Sequence, residues 1–232
     1  MLQYNKSIII IQARTSSKRF PNKVMKLIEG IPIILLAVKR ASNTGKKIIV
    51  ATSNHKSDDK LVKLLKKENI SYFRGNLKNV LSRFTNLIKY YGYNKNQLIF
   101  RLTADNVFPD GHLLNEMEKY YLKKKIKYLS CGKNSGLPFG LSAELTRAKY
   151  IIEANKKNLS FYEREHVTPY IIKKYKAAYY DKNKHLNMEN YRCTIDYIRD
   201  YFIVKKTFKN LKNKSTSIHY KKLLPRLKQA IK

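Results

Sequence analysis

Short apolar runs alternate with amphipathic segments through the first half of the chain. Runs rich in β-branched residues are typical of buried strands, and they occur at residues 7–12, 47–52, 70–73 and 97–103. Apolar positions at helical spacing lie between them, at residues 33–41, from an N-cap at Ser57 onward, and at 80–91. This alternation predicts parallel strands joined by helical crossovers, and therefore an α/β fold.

The second half of the chain is less regular. It predicts helices at residues 112–125, 148–156, 162–174, 197–211 and 223–231, and strands at 127–131, 140–145, 177–180 and 191–195. No linker rich in Gly, Pro or Ser and no internal repeat divides the 232 residues. A chain of this length can bury one large core, so we expect a single domain, residues 1–232, that ends in a helical tail at 206–232.

The first apolar run leads into a cationic loop that is rich in hydroxyl groups. In open α/β sheets the ligand lies beyond the carboxyl ends of the strands. Arg14, Arg19 and Lys23 of this loop are suited to phosphate oxygens, and Ser hydroxyls and loop amides would add neutral donors. The alternative is a solvated basic loop, because Lys is abundant along the whole chain.

Two carboxylates follow other predicted strands. Asp105 comes just after the run at 97–103, and Asp196 follows the run at 191–195. Carboxylates brought together from separate strand ends commonly hold Mg²⁺ that is shared with substrate phosphates. The alternative for each Asp is a helix N-cap, which for Asp196 is equally supported by the sequence.

Ionisable groups are also concentrated at residues 163–169. His166 in this segment is a candidate acid, base or phosphate donor, and the alternative is a hydrogen-bonded structural histidine. Arg74 and Arg83 are further candidates for phosphate or sugar contacts, with exposed ion pairs as the alternative.

The composition adds a formal net charge of +33, from 49 Lys and Arg against 16 Asp and Glu. Such a charge attracts nucleic acid or an anionic membrane surface. The lysines form no single long basic tract, however, so a compositional bias explains the charge better, and we expect neither a specific nucleic acid nor a membrane as partner.

Cys131 and Cys193 are expected to be buried free thiols. With no signal peptide and no membrane-spanning apolar run, these features predict a cytoplasmic protein.

Motifs of other nucleotide enzymes are absent. The chain has neither a Walker loop nor a G-x-G-x-x-G segment, so it lacks the main support for an ATPase or an NAD-dependent enzyme.

The chain resembles the sugar-nucleotide cytidylyltransferases, in particular the SpsF-like spore-coat-polysaccharide branch, which is related to the CMP-sialate and CMP-3-deoxy-manno-octulosonate synthetases. The similar segments follow the family's order and read IQARTSSKRFPNKVM, ATSNHKSDDKLV, FRGNLKNVLSRF, RLTADNVFPD, FGLSAEL, YEREHVTPYI and CTIDYIRDY, within about residues 7–205.

The resemblance implies a three-layer α/β/α, Rossmann-like nucleotidyltransferase fold, related to GT-A glycosyltransferases, with a mostly parallel sheet. It also implies a Mg²⁺-dependent reaction in which CTP and a sugar acceptor give a CMP-sugar and pyrophosphate. The acceptor would be a nonulosonate or related sugar acid, or a sugar phosphate, for surface polysaccharide or glycan biosynthesis. By position, the resemblance assigns catalysis to Arg14, Lys23 and Asp105; nucleotide binding to Gln12, Ala13, Arg14, Ser17, Arg19, Lys23, Thr52, Ser53, Arg74 and Arg101; the acceptor side to Glu144, Arg164, Glu165 and His166; and the metal to Asp105 and Asp196.

Several positions depart from the family pattern. Ser16 and Asn22 stand where the family has Gly, Ser142 where many relatives have Asp, and Ala104 where Gly precedes the acidic residue. These differences leave open which acceptor and which nucleotide base the protein uses, and whether it is an inactive relative of the family. Whether it forms a homodimer is open as well. Two other functions also stay open: a nucleotide-sugar-dependent glycosyltransferase on the same fold, and a non-catalytic nucleic-acid-binding protein.

Overall fold

A seven-stranded sheet forms the centre of the computed structural model within residues 7–132 and 134–232, which the structure describes. The strands are β1 (Ile8–Gln12), β2 (Leu27–Ile28), β3 (Ile31–Pro32), β4 (Ile48–Ser53), β5 (Tyr72–Gly75), β6 (Leu98–Thr103), β7 (Tyr128–Ser130), β8 (Glu144–Arg147) and β9 (Ala178–Tyr179). The sheet order is β5-β4-β1-β6-β8-β7-β9, while β2 and β3 pair as a separate hairpin. Within the described sheet, β8 runs antiparallel to both neighbours and every other pairing is parallel.

Helices cover both faces of this sheet. They are α1 (Ile33–Ala41), α2 (Asp59–Lys67), α3 (Val80–Tyr90), α4 (Gly111–Lys124), α5 (Ala148–Asn155), α6 (Phe161–His166), α7 (Pro169–Tyr175), α8 (Ile198–Phe208) and α9 (Tyr220–Ile231). Ile9 and Ile11 of β1 pack in one apolar cluster with α1, α2, α4, α8 and α9. Ile8 and Ile10 point the opposite way, into a second cluster with α3, α5 and α7. The strand period of two therefore separates two cores, and the predicted three-layer α/β/α fold is confirmed.

Most predicted elements are present, with ends that differ by up to three residues. The strand predicted at 140–145 is wrong in its first half, because β8 begins at Glu144. The reason lies at Gly140, which has a φ of +102° and approaches Thr194 so closely that a Cβ would lie 2.2 Å from the Thr194 nitrogen. The strand predicted at 191–195 is also wrong, since this segment makes only an isolated bridge between Arg192 and Phe139 among the described residues.

The helix predicted at 162–174 is divided in two. Helix α6 ends at His166, and the next residue, Val167, has a φ of +68°, which is unusual for a β-branched residue. Helix α7 starts at Pro169, which suits a first helical position. Val167 is fully buried in the second core, and this burial offsets the cost of its backbone conformation. The break turns the segment so that Glu165 and Thr168 reach the end of the sheet.

The last helix belongs to the same apolar cluster as β1, through Leu223, Leu224 and Leu227. Pro225 lies within it and leaves α9 continuous. The assignment of residues 1–232 to a single domain stays a prediction. None of the helices in the described part of the chain is both long and apolar enough to cross a membrane.

Candidate active site

The loop after β1 is anchored by Thr15, a residue that the sequence analysis did not single out. Its backbone amide donates to Asp58 Oδ1 at 2.7 Å, and its hydroxyl lies 2.8 Å from the same oxygen. The Thr15 carbonyl accepts from the amides of Ser17 and Asn22, at 2.9 and 3.0 Å. Thr15 therefore closes the turn that presents Ser17 and Arg19 at the carboxyl edge of the sheet.

Asp58 is the partner that fixes this loop to the sheet. It is fully buried, and the amide of Ser53 at 3.2 Å and the Ser53 hydroxyl also donate to it. Burial alone would raise the pKa of this carboxyl, but the donors from Ser53 and Thr15 outweigh it and lower the pKa below the ordinary 3.8. The predicted role of Ser57 as N-cap is wrong, because His55 caps a short 3₁₀ turn that precedes α2.

Lys23 lies between the two carboxylates that the sequence placed at strand ends. Its Nζ is 2.6 Å from Asp105 Oδ2, 3.3 Å from Asp196 Oδ1 and 2.8 Å from the carbonyl oxygen of Ile195. Asp105 follows β6 as predicted, whereas Asp196 follows an irregular segment held by the Ile195 amide, which donates to the Asp105 carbonyl at 3.0 Å. The structure thus brings together residues that are 82 and 173 positions apart.

The two oxygens of Asp196 have different partners. Oδ1 accepts from Arg19 at 2.6 Å and faces Lys23, while Oδ2 accepts from Arg192 at 2.6 Å. Asp200 holds the other side of Arg192, with Nε to Oδ1 at 3.1 Å, and also accepts from the Asp196 amide at 2.9 Å. We name these six residues the Lys23 cluster: Arg19, Lys23, Asp105, Arg192, Asp196 and Asp200.

Asp196 is not the N-cap of α8, which was the alternative to a role in metal binding. Tyr197, not Asp196, precedes α8, and Asp200 at the third helical position accepts from the Tyr197 amide at 2.9 Å. Desolvation would raise the pKa of Asp200, but its bonds to Arg192 and to backbone amides lower it overall.

A second group of contacts lies further along the same edge. Arg101 donates to Gln12 Oε1 at 3.1 Å and to Glu144 Oε2 at 2.8 Å, and the Thr168 hydroxyl donates to the same Glu144 oxygen at 3.1 Å. The ends of β1, β6 and β8 are therefore linked by side chains to the break between α6 and α7. We name Gln12, Arg101, Glu144 and Thr168 the Arg101 cluster.

Helix α6 approaches the loop through an ion pair between Arg14 Nη2 and Glu165 Oε1 at 2.9 Å. The neighbouring His166 has a pKa below its ordinary 6.5, because desolvation and then the charge of Arg101 disfavour the imidazolium. Arg164, which the sequence also placed on the acceptor side, instead lies 3.4 Å from Asn158 at the surface. The structure therefore brings Glu144, Glu165 and His166 towards one region and turns Arg164 to a different contact.

Three residues that the resemblance assigns to nucleotide binding, Thr52, Ser53 and Arg74, lie at the ends of β4 and β5. Thr52 and Ser53 are fully buried, so they form the floor beneath the loop. The Ala13 amide extends the pairing by donating to Ala51 at 3.1 Å. Arg74 donates to the carbonyl of Ser53 at 2.9 Å and pairs with Asp59 at 2.7 Å, and its side chain is partly exposed.

Among the described residues, Arg83 does not form the exposed ion pair that was its alternative, and its hydrogen bonds all go to backbone carbonyls. It is buried and donates to the carbonyls of Ala51, Asn76 and Leu77, and burial lowers its pKa to about 10. Its role is to hold the β5–α3 connection. Cys131 and Cys193 are buried free thiols, as predicted.

Fold and site together place the chain among the Rossmann-like nucleotidyltransferases: a mostly parallel sheet carries a cationic loop and two neighbouring carboxylates at its carboxyl edge. The sequence model of one family, described as cytidylyltransferase, matches residues 8–230. The chain belongs to the cytidylyltransferase family and is a CTP-dependent enzyme of that kind.

The chain is similar to several known proteins. An uncharacterized protein of Methanocaldococcus jannaschii is 36% identical over 84% of this chain and 80% of its own length. The spore coat polysaccharide biosynthesis protein SpsF of Bacillus subtilis is 29% identical over 87% of this chain and 85% of its own. The structure of a cytidylyltransferase from Leptospira borgpetersenii superposes with a TM-score of 0.86 at 27% identity, covering 97% of this chain and 94% of that one.

Proposed function

We propose that the enzyme transfers CMP from CTP to a sugar acceptor, either a nonulosonate or related sugar acid or a sugar phosphate, and releases pyrophosphate. The observation that carries the proposal is the convergence of the loop cations with Asp105 and Asp196 at one sheet edge. The similarity to a spore coat polysaccharide biosynthesis protein supports a role in surface glycan synthesis. The motif resemblance to CMP-sugar synthetases supports the acceptor class.

The proposed reaction is an in-line displacement at the α-phosphorus of CTP. An acceptor oxygen forms the new P–O bond, the bond from the α-phosphorus to the bridging oxygen breaks, and pyrophosphate leaves with that electron pair. Such a transfer needs alignment and charge neutralisation rather than a covalent intermediate. Arg14, Arg19 and Lys23 are assigned to the triphosphate, together with Ser17 and the loop amides.

The acceptor side is assigned to Glu144, Glu165 and His166. A hydroxyl acceptor loses a proton during transfer, and a neutral imidazole is suited to receive it. The lowered pKa of His166 favours that neutral form near pH 7. The opposite charges of Glu165 and Arg14 connect this side to the phosphate loop.

The residues present fit a divalent metal. Oxygens of Asp105 and Asp196 converge on one cation, the Lys23 ammonium, and Mg²⁺ prefers oxygen ligands from one or two carboxylates together with substrate phosphates. Among the described residues no group of three or more His, Cys, Asp and Glu is placed to hold a metal ion, so phosphate oxygens of the nucleotide would have to complete the coordination. Bound Mg²⁺ would supply neutralisation of phosphate charge.

The test is pyrophosphate release with each nucleoside triphosphate across a panel of sugar acids and sugar phosphates. We expect release with CTP and one acceptor class, and an Asp105→Asn variant that is folded yet slower by at least about 10²-fold, as for removal of a charge-stabilising group. Asp181→Asn, a carboxylate outside both clusters, is the matched control and should be unaffected.

Other outcomes would favour other functions. No release with any pair, from folded protein with Mg²⁺, would overturn the proposal. Sugar transfer from a nucleotide-sugar without pyrophosphate would favour a glycosyltransferase. The charge of +33 motivates the nucleic-acid-binding alternative, which predicts tight RNA or DNA binding that falls steeply with salt.

A further inference from the structure

The Lys23 ammonium occupies the point where the candidate metal ligands meet. It contacts one oxygen from each of Asp105 and Asp196 and the Ile195 carbonyl, all within 3.3 Å. Its side chain is only 10% exposed, so this contact is shielded from water. An ammonium in this position competes for the same oxygens that a divalent cation would use.

The charges around this point are balanced without any ligand. Three carboxylates (Asp105, Asp196 and Asp200) contact three cations (Arg19, Lys23 and Arg192). While the Lys23 ammonium stays, a divalent cation would bind this cluster weakly. The carboxylate oxygens already have partners, and the positive charge of the ammonium would repel the metal. The free protein is therefore poorly prepared to bind a metal alone.

The cluster also contains a part that can move and a part that is fixed. Lys23 carries a compact charge on a flexible four-carbon stem, and it comes from the loop assigned to the triphosphate. Arg192 is held by Asp200 on one side and binds Asp196 Oδ2 on the other, so Asp196 keeps its orientation when Oδ1 is released. Departure of the ammonium would thus free Asp105 Oδ2 and leave Asp196 Oδ1 in contact with Arg19, which belongs to the same loop and is assigned to the same triphosphate.

We propose that Lys23 has a second role as an internal competitor for the metal: its ammonium blocks the site between Asp105 and Asp196 until the triphosphate of CTP draws it away. Metal and nucleotide then bind with positive coupling, and by thermodynamic linkage each raises the affinity for the other. The inference rests on the proposed metal-dependent function. It assigns to one lysine both the phosphate contact and the exclusion of premature metal binding.

The experiment measures Mn²⁺ binding to nucleotide-free protein by electron paramagnetic resonance and calorimetry. Lys23→Met is expected to bind Mn²⁺ at least about tenfold tighter than the wild type, within the usual range of coupling between sites. Lys18→Met removes the same charge from an exposed position of the same loop and should match the wild type. Adding Asp105→Asn to Lys23→Met should abolish the gain.

The inference would be overturned if Lys23→Met bound no tighter than the wild type, or if Lys18→Met gained as much. A test that does not depend on a folded Lys23 variant compares the wild type with Asp105→Asn. The two proteins should bind Mn²⁺ equally weakly without nucleotide, and a tighter wild-type site that Asp105→Asn removes would contradict the block. Circular dichroism establishes that each variant is folded.

The pyrophosphate assay separates this inference from the proposed function. Pyrophosphate release by the wild type, with no gain in Mn²⁺ binding by folded Lys23→Met, would reject the competitor role and keep the function. A gain in Mn²⁺ binding, with no release from any nucleotide and acceptor, would support the competitor role and reject the function.

Discussion

Thr15 and Asp58 are joined by two contacts to a single carboxylate oxygen, from the Thr15 amide at 2.7 Å and the Thr15 hydroxyl at 2.8 Å. This pair ties the proposed phosphate loop to the start of α2 across 43 residues of chain. A buried carboxylate that accepts several donors is costly to disturb, because the Thr15 amide would lose its bond to Asp58, although the Thr15 hydroxyl also lies 2.7 Å from the Ser57 carbonyl. The geometry of the loop therefore depends on a residue that does not face the ligand.

Asp58→Asn should lower the free energy of unfolding by about 2–3 kcal/mol at pH 7, as expected for loss of charge-assisted bonds in a buried site, and should weaken CTP binding. Urea denaturation and calorimetry measure these two effects. Because the folded pKa of Asp58 is below 3.8, its contribution is complete above that pH and is lost as the pH falls through the lower folded value. The difference between variant and wild type should shrink accordingly in acid.

Asp59→Asn is the matched control for that experiment. This neighbouring carboxylate is 60% exposed and forms a surface ion pair with Arg74, so its loss should change unfolding by less than about 1 kcal/mol. Equal destabilisation by both substitutions would contradict the anchoring role of Asp58.

Of the two loop positions where the family has Gly, Asn22 has a backbone conformation that favours Gly and Ser16 does not. Asn22 adopts the left-handed region with φ 56° and ψ 21°, a conformation in which Asn is tolerated and Gly is favoured. Asn22→Ala should therefore destabilise by about 1 kcal/mol and raise the KM for CTP, while Asn22→Gly should leave both nearly unchanged. Urea denaturation and steady-state kinetics distinguish these variants.

Ser16 provides the contrast, since it is not among the residues with positive φ. Ser16→Ala should leave stability within about 0.5 kcal/mol, as for an exposed surface position. A large effect of Ser16→Ala, or none of Asn22→Ala, would show that the backbone conformation is not what limits the loop.

The local sequence pattern predicted the fold well where the apolar spacing of a segment and the residues at its ends indicate the same element. Helix α1 has the predicted bounds, because its apolar spacing begins directly after Pro32 and ends near basic residues. The error at residues 191–195 arises because alternating apolar residues fit a strand, whereas the neighbour available to them is the Gly140 turn. Pairing partners are a property of the folded chain and cannot be seen in one segment.

The candidate site follows the same division. The strand-end rule and the motif resemblance predicted that Lys23, Asp105 and Asp196 lie together, and their contacts confirm this proximity. Their catalytic roles stay predictions. Asp58 and Arg192 were missed because each resembles an ordinary surface residue in sequence, and only the folded structure shows which carboxylate or loop each one holds.

Glu165→Gln should separate the two halves of the proposed site. Removing this carboxylate frees Arg14 from its ion pair, so the KM for CTP should fall or stay unchanged, while the KM for the acceptor should rise by about tenfold, as for loss of one polar contact. Glu163→Gln, in the same helix, removes a charge but keeps an acceptor oxygen for the capping contact with Ser160. This control should change stability by less than about 0.5 kcal/mol and leave both KM values unchanged. A rise in the KM for CTP with Glu165→Gln would contradict the assignment.

His166 should titrate below pH 6.5 in the folded protein, because desolvation and the charge of Arg101 disfavour its protonated form. The unfolded chain binds this proton more readily, so stability falls as the pH drops below about 6.5 and levels off under the folded pKa.

Histidine ring resonances, assigned with His166→Gln, measure the pKa of His166 by NMR. Addition of CTP, whose negative charge offsets the nearby arginines, should raise it. If His166 receives the acceptor proton, kcat should decline as the pH falls through the raised pKa of the CTP complex, and His166→Gln should lower kcat while flattening that decline. A His166 that titrates above 6.5 without nucleotide would contradict the electrostatic account, and a pH dependence of kcat that His166→Gln leaves unchanged would contradict the proposed proton transfer.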